Sequence, residues 1–261
     1  MGIAERTIEL RAYSETGQGR QWTYPLEIVA DVEQTRRKRP NKATITVQGL
    51  SAESAAFITG AEIVEVVSSE GLLYRGNPRR VRRAWKMPDS ETEIECKDGG
   101  RLYRDASLTR SYVPGVTSRT VLADLTASIG AGLEILGTLP EQVYESGYCA
   151  AGKVRDIITD VVESLDCAWS IQDGVVQILA PGAPSTGGAL LKAGSGLVGS
   201  PEVTDKGIAL KALLMPRLRP GRLFRLESRS LTGWYRVTKC QHKAGSRGDP
   251  WETAVDAVEA G

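Results

Sequence analysis

Residues 194–222 read G-S-G-L-V-G-S-P-E-V-T-D-K-G-I-A-L-K-A-L-L-M-P-R-L-R-P-G-R, and residues 233–253 read G-W-Y-R-V-T-K-C-Q-H-K-A-G-S-R-G-D-P-W-E-T. Polar and apolar residues alternate through much of both stretches, which is the period of a strand with one buried face. Pro216-Arg217 and Pro220-Gly221 punctuate the apolar runs. From Gly194 to Ala257 the chain therefore predicts strands and tight turns, with no plausible catalytic group.

The same alternation fills the first hundred residues. Ile8, Leu10 and Ala12 alternate with Thr7, Glu9 and Arg11, and Leu26, Ile28 and Ala30 share one face, as do Ile45 and Val47. Ser51 is placed to cap a short helical turn with Ser54 at its third position. Segments 61–67 and 71–76 predict a hairpin, and 81–87 and 92–97 predict two more strands before a turn at 98–100. Short strands with regular turns suggest a small barrel or sandwich.

The middle of the chain changes period. Thr117 or Ser118 caps a helix whose apolar stripe is Val121, Leu122, Leu125 and Ile129, stopped by Gly130 and Gly132. From Ala151, the series Val154, Ile157, Ile158, Val161, Val162 and Leu165 follows the helical period. Asp173-Gly174 between two alternating runs predicts a two-residue hairpin. Residues 181–188, P-G-A-P-S-T-G-G, have the composition of a linker. No repeat of fixed period is visible, although the two β-regions are similar in size. The fold expected is α+β, mainly β. It has a first barrel-like β-domain over 1–104, an α/β insert over 105–181 and a second barrel-like β-domain over 182–261.

Composition narrows the function. Lys and Arg total 33 against 32 Asp and Glu, for a net charge of +1. The whole chain thus has no electrostatic preference for nucleic acid or membrane. The four cysteines form no C-x-x-C pair, and one histidine, His242, leaves little for a zinc site or a Ser-His-Asp arrangement. The opening M-G-I-A-E-R-T-I-E-L lacks a signal-peptide pattern, and no run approaches the ~20 apolar residues that span a bilayer. A soluble chain made in the cytoplasm, with reduced thiols, is expected.

Four patterns imitate chemistry. Gly147 to Lys153 matches G-x-x-x-x-G-K, but Val154 stands where a phosphate loop needs Ser or Thr. Gly194 to Gly199 matches G-x-G-x-x-G, but Ser200-Pro201 follows instead of a helix. Glu91, Glu93 and Glu95 share one strand face without an acid/base partner and read as a solvent face. Cys240 and His242 share a face, without a third orienting group or an activating helix end. No catalytic, cofactor or metal residue is assigned. The local positive features are Arg36, Arg37, Lys38 and Arg39, and then Arg79, Arg80, Arg82 and Arg83. They read as solvated loops or as charge facing a partner.

The order of parts resembles the baseplate hub proteins of phage tails, a group shared with contractile injection machines. The resemblance covers nearly the whole chain. It rests on L-E-I-V-A-D-V-E…N-K-A-T-I-T-V-Q-G-L over 26–50, L-D-C-A-W-S-I-Q-D-G-V-V-Q-I-L over 165–179, and the stretches 199–222 and 233–253. It implies a homotrimer in which each chain gives two similar barrel-like domains. Three chains then build a ring of six that adapts the six-fold tail tube to the three-fold central spike and nucleates tail assembly. The implied partners are further copies of the chain, the tail tube protein, the spike protein and other baseplate proteins. No specific nucleic acid and no membrane insertion are expected. The implied location is the virion tail baseplate, with the host cytoplasm during assembly. A non-enzymatic structural role follows, with free strand edges paired to neighbours. The alternatives are a tail-associated cell-wall hydrolase, which would need a Glu/Asp or Cys-His cleft, and the hub of a non-phage contractile machine.

Overall fold

A computed structural model describes residues 6–86, 89–183, 188–248 and 250–260, without the side chains of 101, 102 and 104. The first stretch forms β1 (Ile8–Tyr13), β2 (Gly19–Trp22), β3 (Glu27–Thr35), β4 (Lys42–Gln48), α1 (Ala52–Thr59), β5 (Ile63–Ser68), β6 (Gly71–Lys86) and β7 (Asp89–Lys97). The middle forms α2 (Gly100–Asp105), β8 (Ser107–Tyr112), β9 (Val116–Thr117), α3 (Ser118–Ser128), β10 (Gly132–Leu136), β11 (Val143–Tyr144), β12 (Tyr148–Lys153), α4 (Val154–Glu163), β13 (Ala168–Gln172) and β14 (Val175–Leu179). The last stretch forms β15 (Ala189–Lys192), β16 (Leu197–Thr204), β17 (Gly207–Leu213), β18 (Leu223–Glu227), β19 (Thr232–Gly245) and β20 (Trp251–Glu259). The mainly-β α+β class is thus as expected.

Among the described residues the chain forms two compact units: one of 6–35, 41–98 and 188–260, the other of 36–40 and 99–183. The first and last thirds of the chain therefore fold together. Their join is β3 against β19, antiparallel from Val29↔Gly245 to Thr35↔Lys239. This ladder makes one sheet with the path β16-β17-β20-β19-β3-β4-β7-β6 and continues from β6 through β5 and β1 to β2. Sequence distance hid the β3–β19 partnership, because nothing local marks which strand another will meet.

The path contains the same arrangement twice. In the first half, β3 and β4 form a hairpin, β4 pairs with β7, and β7 pairs with β6. In the second half, β16 and β17 form a hairpin, β17 pairs with β20, and β20 pairs with β19. The fourth strand of each set is long and bulged. β6 shifts register between Pro78 and Arg80, and its first part pairs with β5. β19 shifts between Val237 and Lys239, and its first part pairs with β18. A bulge bends and twists a strand, so each long strand leaves the main sheet to join a small second layer. The sequence suggested two strands over 71–87; the structure has one bulged strand to Lys86, and Met87 lies outside the described residues. One apolar core lies under each half: Ile28, Ile45, Ile94 and Leu10 in the first, Leu210, Val255, Phe224 and Leu226 in the second. The strand path is open, and no pair among the described residues closes either half into a barrel.

The second unit follows its sequence signals closely. Thr117 Oγ1 accepts from Thr120 N and caps α3, and Ser51 does the same for α1 from Ser54 N. The α4 stripe Val154, Ile157, Ile158, Val161 and Val162 is buried. Each such side chain contributes about 1.5–3 kcal/mol relative to exposure. Asp173 and Gly174 both have positive φ, 52° and 83°, as the predicted two-residue turn requires. The linker expected over 181–188 falls mainly on 184–187, outside the described residues.

A buried polar clamp holds the first unit where the chain leaves it. Asp98 is fully buried, and its Oδ1 and Oδ2 accept from Asn41 N at 2.6 Å and Asn41 Nδ2 at 2.9 Å. Asn41 Oδ1 in turn accepts from Thr35 N at 2.8 Å. Asp98→Ala strands these donors, so we expect a loss of about 3 kcal/mol of stability, read as a lower urea midpoint by tryptophan fluorescence.

Candidate assembly surfaces

The eight-strand path has two faces of opposite character. Ile28, Ala30 and Val32 of β3 point to the core, while Asp31 and Glu33 point away. The outward positions form rows across the strands. One row runs Arg80, Glu95, Thr44, Asp31, Lys243, Glu252 and Leu213. Charges of both signs are mixed along this row. Lys239 lies 3.4 Å from Glu33, Lys243 lies 3.9 Å from Asp31, and Gln241 Nε2 donates to Asp31 Oδ1 at 2.7 Å. Glu91 pairs with Lys86 and accepts from Gln48 Nε2, and these hydrogen bonds hold its carboxyl below the usual carboxylate range. Glu91, Glu93 and Glu95 therefore form part of a mixed polar face, as their alternation predicted.

The path also has two uncovered edges. β16 pairs only with β17, and from Pro78 onward β6 pairs only with β7 among the described residues. Large apolar side chains stand exposed at these places: Trp85 at 69% on β6, and Val203 at 74% and Val198 at 44% on β16. Nothing local in the sequence marks their exposure.

The two basic groups fall in different compact units. In the loop 36–39, Lys38 pairs with Glu163, and Tyr103 Oη donates to the Lys38 carbonyl at 2.9 Å. Arg39 is exposed. On β6, Arg79, Arg80, Arg82 and Arg83 are exposed, and Arg83 also donates from Nε to the Leu50 carbonyl at 3.2 Å and from Nη2 to Ser90 Oγ at 3.0 Å.

No family model matches the sequence, and no curated protein resembles it closely in sequence. Solved structures do resemble it in fold. The tail protein from Neisseria meningitidis MC58 has a TM-score of 0.65 at 11% identity, covering 97% of this chain and 96% of that one. The 43 kDa tail protein of prophage MuSo2 from Shewanella oneidensis has a TM-score of 0.67 at 8% identity, covering 99% of each chain. An E. coli component of the type VI secretion system, itself structurally similar to the T4 tail proteins gp27 and gp5, has a TM-score of 0.58 at 13% identity. It is matched over 91% of this chain and 74% of its own length. The chain has a tail-hub-like fold.

Within this tail-hub-like fold the chemical look-alikes resolve into structure. Residues 148–153 of the G-x-x-x-x-G-K stretch are strand β12, paired with β8. The G-x-G-x-x-G stretch begins as a turn over 194–196, in which Ser195 Oγ accepts from Lys192 N at 3.1 Å, and its residues 197–199 open β16. Cys240 and His242 do meet, with Sγ 3.4 Å from Nε2. The orienting group that the sequence did not reveal is Thr253, whose Oγ1 lies 2.9 Å from Nδ1. Thr253 Oγ1 accepts from Met215 N, so its own hydrogen is free to reach Nδ1. His242 Nε2–H then donates to Cys240, and the thiol donates to Gln34 Oε1. Gln34, Cys240, His242 and Thr253 are all 0% exposed, so this chain of hydrogen bonds fills the core and reaches no cleft.

Burial, helped by the Arg219 cation, pushes His242 down to about 3. The unfolded chain takes up this proton near pH 6.5, and the folded one does not until about pH 3. Stability is therefore fully present above pH 6.5 and falls as pH drops through that window. We expect a slope approaching about 1.4 kcal/mol per pH unit from this group. His242→Leu should flatten the slope between pH 6.5 and 5, measured by urea unfolding at stepped pH.

Proposed function

We propose that the chain is a non-enzymatic structural component of a tail: the hub that joins a six-fold tube to a three-fold central spike and nucleates tail assembly. The observation that carries this is the duplicated strand path. Each chain holds two topologically equivalent sets of four strands, β3-β4-β7-β6 and β16-β17-β20-β19. Three copies would therefore offer six equivalent sets, which is how a trimer can meet a six-fold tube on one side and a three-fold spike on the other. Each set, with its small second layer, would curl into one of the six barrel-like parts of the ring.

The working location is the tail of a virion, with assembly in the host cytoplasm, and similarity to a type VI secretion component supports the same role in a related contractile machine. The partners are two further copies, the tube protein, the spike protein and other baseplate proteins. Arg36, Arg37, Lys38 and Arg39 would face one of these partners. The mixed polar face leaves no long single-sign stripe of the kind that tracks a phosphate backbone.

Light scattering at micromolar concentration should give three times the mass of the chain, and a strict monomer that stays so on adding spike protein would overturn the reading. Clearing of peptidoglycan in a zymogram would overturn its non-enzymatic part.

A further inference from the structure

The first strand of each set is met differently in the isolated chain. β3, first in its set, is paired by β19, the last strand of the other set. β16 and the outer part of β6 hold the equivalent first and last positions and have no such partner among the described residues. We infer that these two edges are the two sides of one joint, β6 of one chain against β16 of a second copy, built to the pattern of the internal β3–β19 joint. This deepens the proposed trimer by naming its contact.

Direction permits it. All seven steps along the path from β16 to β6 are antiparallel. With eight strands, the two end strands run opposite ways, so a second copy joins antiparallel and the same step repeats until a ring closes.

The internal joint also supplies the register. The bulges align Arg80 with Lys239, because Arg80 faces Glu95 and Lys239 faces Asp256 directly after each. On the other side, Asp31 faces Thr44 and Glu202 faces Ala209, and Thr44 and Ala209 are equivalent through Glu95 and Asp256. Asp31 therefore corresponds to Glu202, and Val32 to Val203. Inside the chain, Lys243 meets Asp31, His242 meets Val32 and Gln241 meets Glu33. Across the joint, Ala84 then meets Glu202, Arg83 meets Val203 and Arg82 meets Thr204 of the second copy.

Two further observations agree. Val203 and Trp85 both occupy positions whose equivalents, Val32 and Ala244, are 0% exposed, yet they are 74% and 69% exposed in the single chain. The joint would cover both. The charges also have the polarity of the internal joint, where Lys239 and Lys243 on β19 meet Glu33 and Asp31 on β3. Arg79, Arg80 and Arg82 lie on the β6 side, and Glu202 and Asp205 at the β16 side. The bulge at 198–202, with Pro201, interrupts the outer edge of β16 and opposes slipped pairings.

Ala84→Cys with Glu202→Cys, in a Cys149→Ser background, should form disulfide-linked trimers on mild oxidation. Each single variant should not, and Lys86→Cys with Glu202→Cys, out of register, should link at least about tenfold more slowly. Trp85→Glu changes a side chain already exposed, so it should keep the thermal unfolding of the folded chain and weaken association by about 100-fold in sedimentation. Trimers that never link through 84 and 202, or that survive Trp85→Glu unchanged, would overturn the joint and leave the trimeric reading standing. A monomer in every variant and in the parent would overturn both. Binding of a duplex DNA probe that Arg80→Ala with Arg82→Ala abolishes, with the mass unaffected, would reassign this edge to a polyanion and overturn the joint.

Discussion

The β3–β19 ladder is the constraint on which the first unit depends. It joins residue 29 to residue 245 and residue 35 to residue 239, and so ties the two ends of the chain into one sheet. A sheet edge with unpaired backbone groups is costly to bury and prone to pair with other chains. Satisfying those groups internally at β3 and β19 sets the order of every strand on either side. Among the described residues it also leaves the eight-strand path with two edges rather than four. Such non-local pairing loses loop entropy before it returns contacts, which favours folding of local hairpins first. The hairpins β3–β4, β6–β7, β16–β17 and β19–β20 are the local pieces, and β3–β19 is the step that unites them.

Equivalent positions in the two halves carry different chemistry on the same frame. Thr92 and Thr253 are both fully buried and occupy matching places on β7 and β20. Thr253 serves the buried His242, while Thr92 lies opposite Arg83, with its Oγ1 unpartnered among the described residues. A core histidine suits the half whose joint is internal and permanent, because the surrounding strands keep water out. An arginine that turns back to Leu50 and Ser90 suits an edge exposed in the single chain. The backbone plan is thus repeated while the side chains differ between the paired strand and the exposed edge.

Much of this was legible from the residues. The α4 stripe, the caps Ser51 and Thr117 and the Asp173-Gly174 turn were readable because helix faces, caps and tight turns depend on neighbours within a few residues. That neither glycine stretch continues with the local sequence of a phosphate loop was readable too, from Val154 and Pro201. The duplication was not. Its halves share burial pattern and hydrogen-bond order while differing at most side chains, so no period shows in the sequence. The shared face of Cys240 and His242 was expected from their spacing, but Thr253 and Gln34 come from two other strands and enter only once those strands are aligned.

The sequence alone determined the alternating strands, the helices and the near-neutral charge, because these follow from local periodicity and composition. Tertiary structure decided which strand lies beside which, and hence that the described residues hold an eight-strand path with one plan repeated and an uncovered strand at each end. The reason is physical: a strand's backbone groups pair with almost any partner of suitable length, so partner choice is made by the shared core and the sheet as a whole, not by the strand itself.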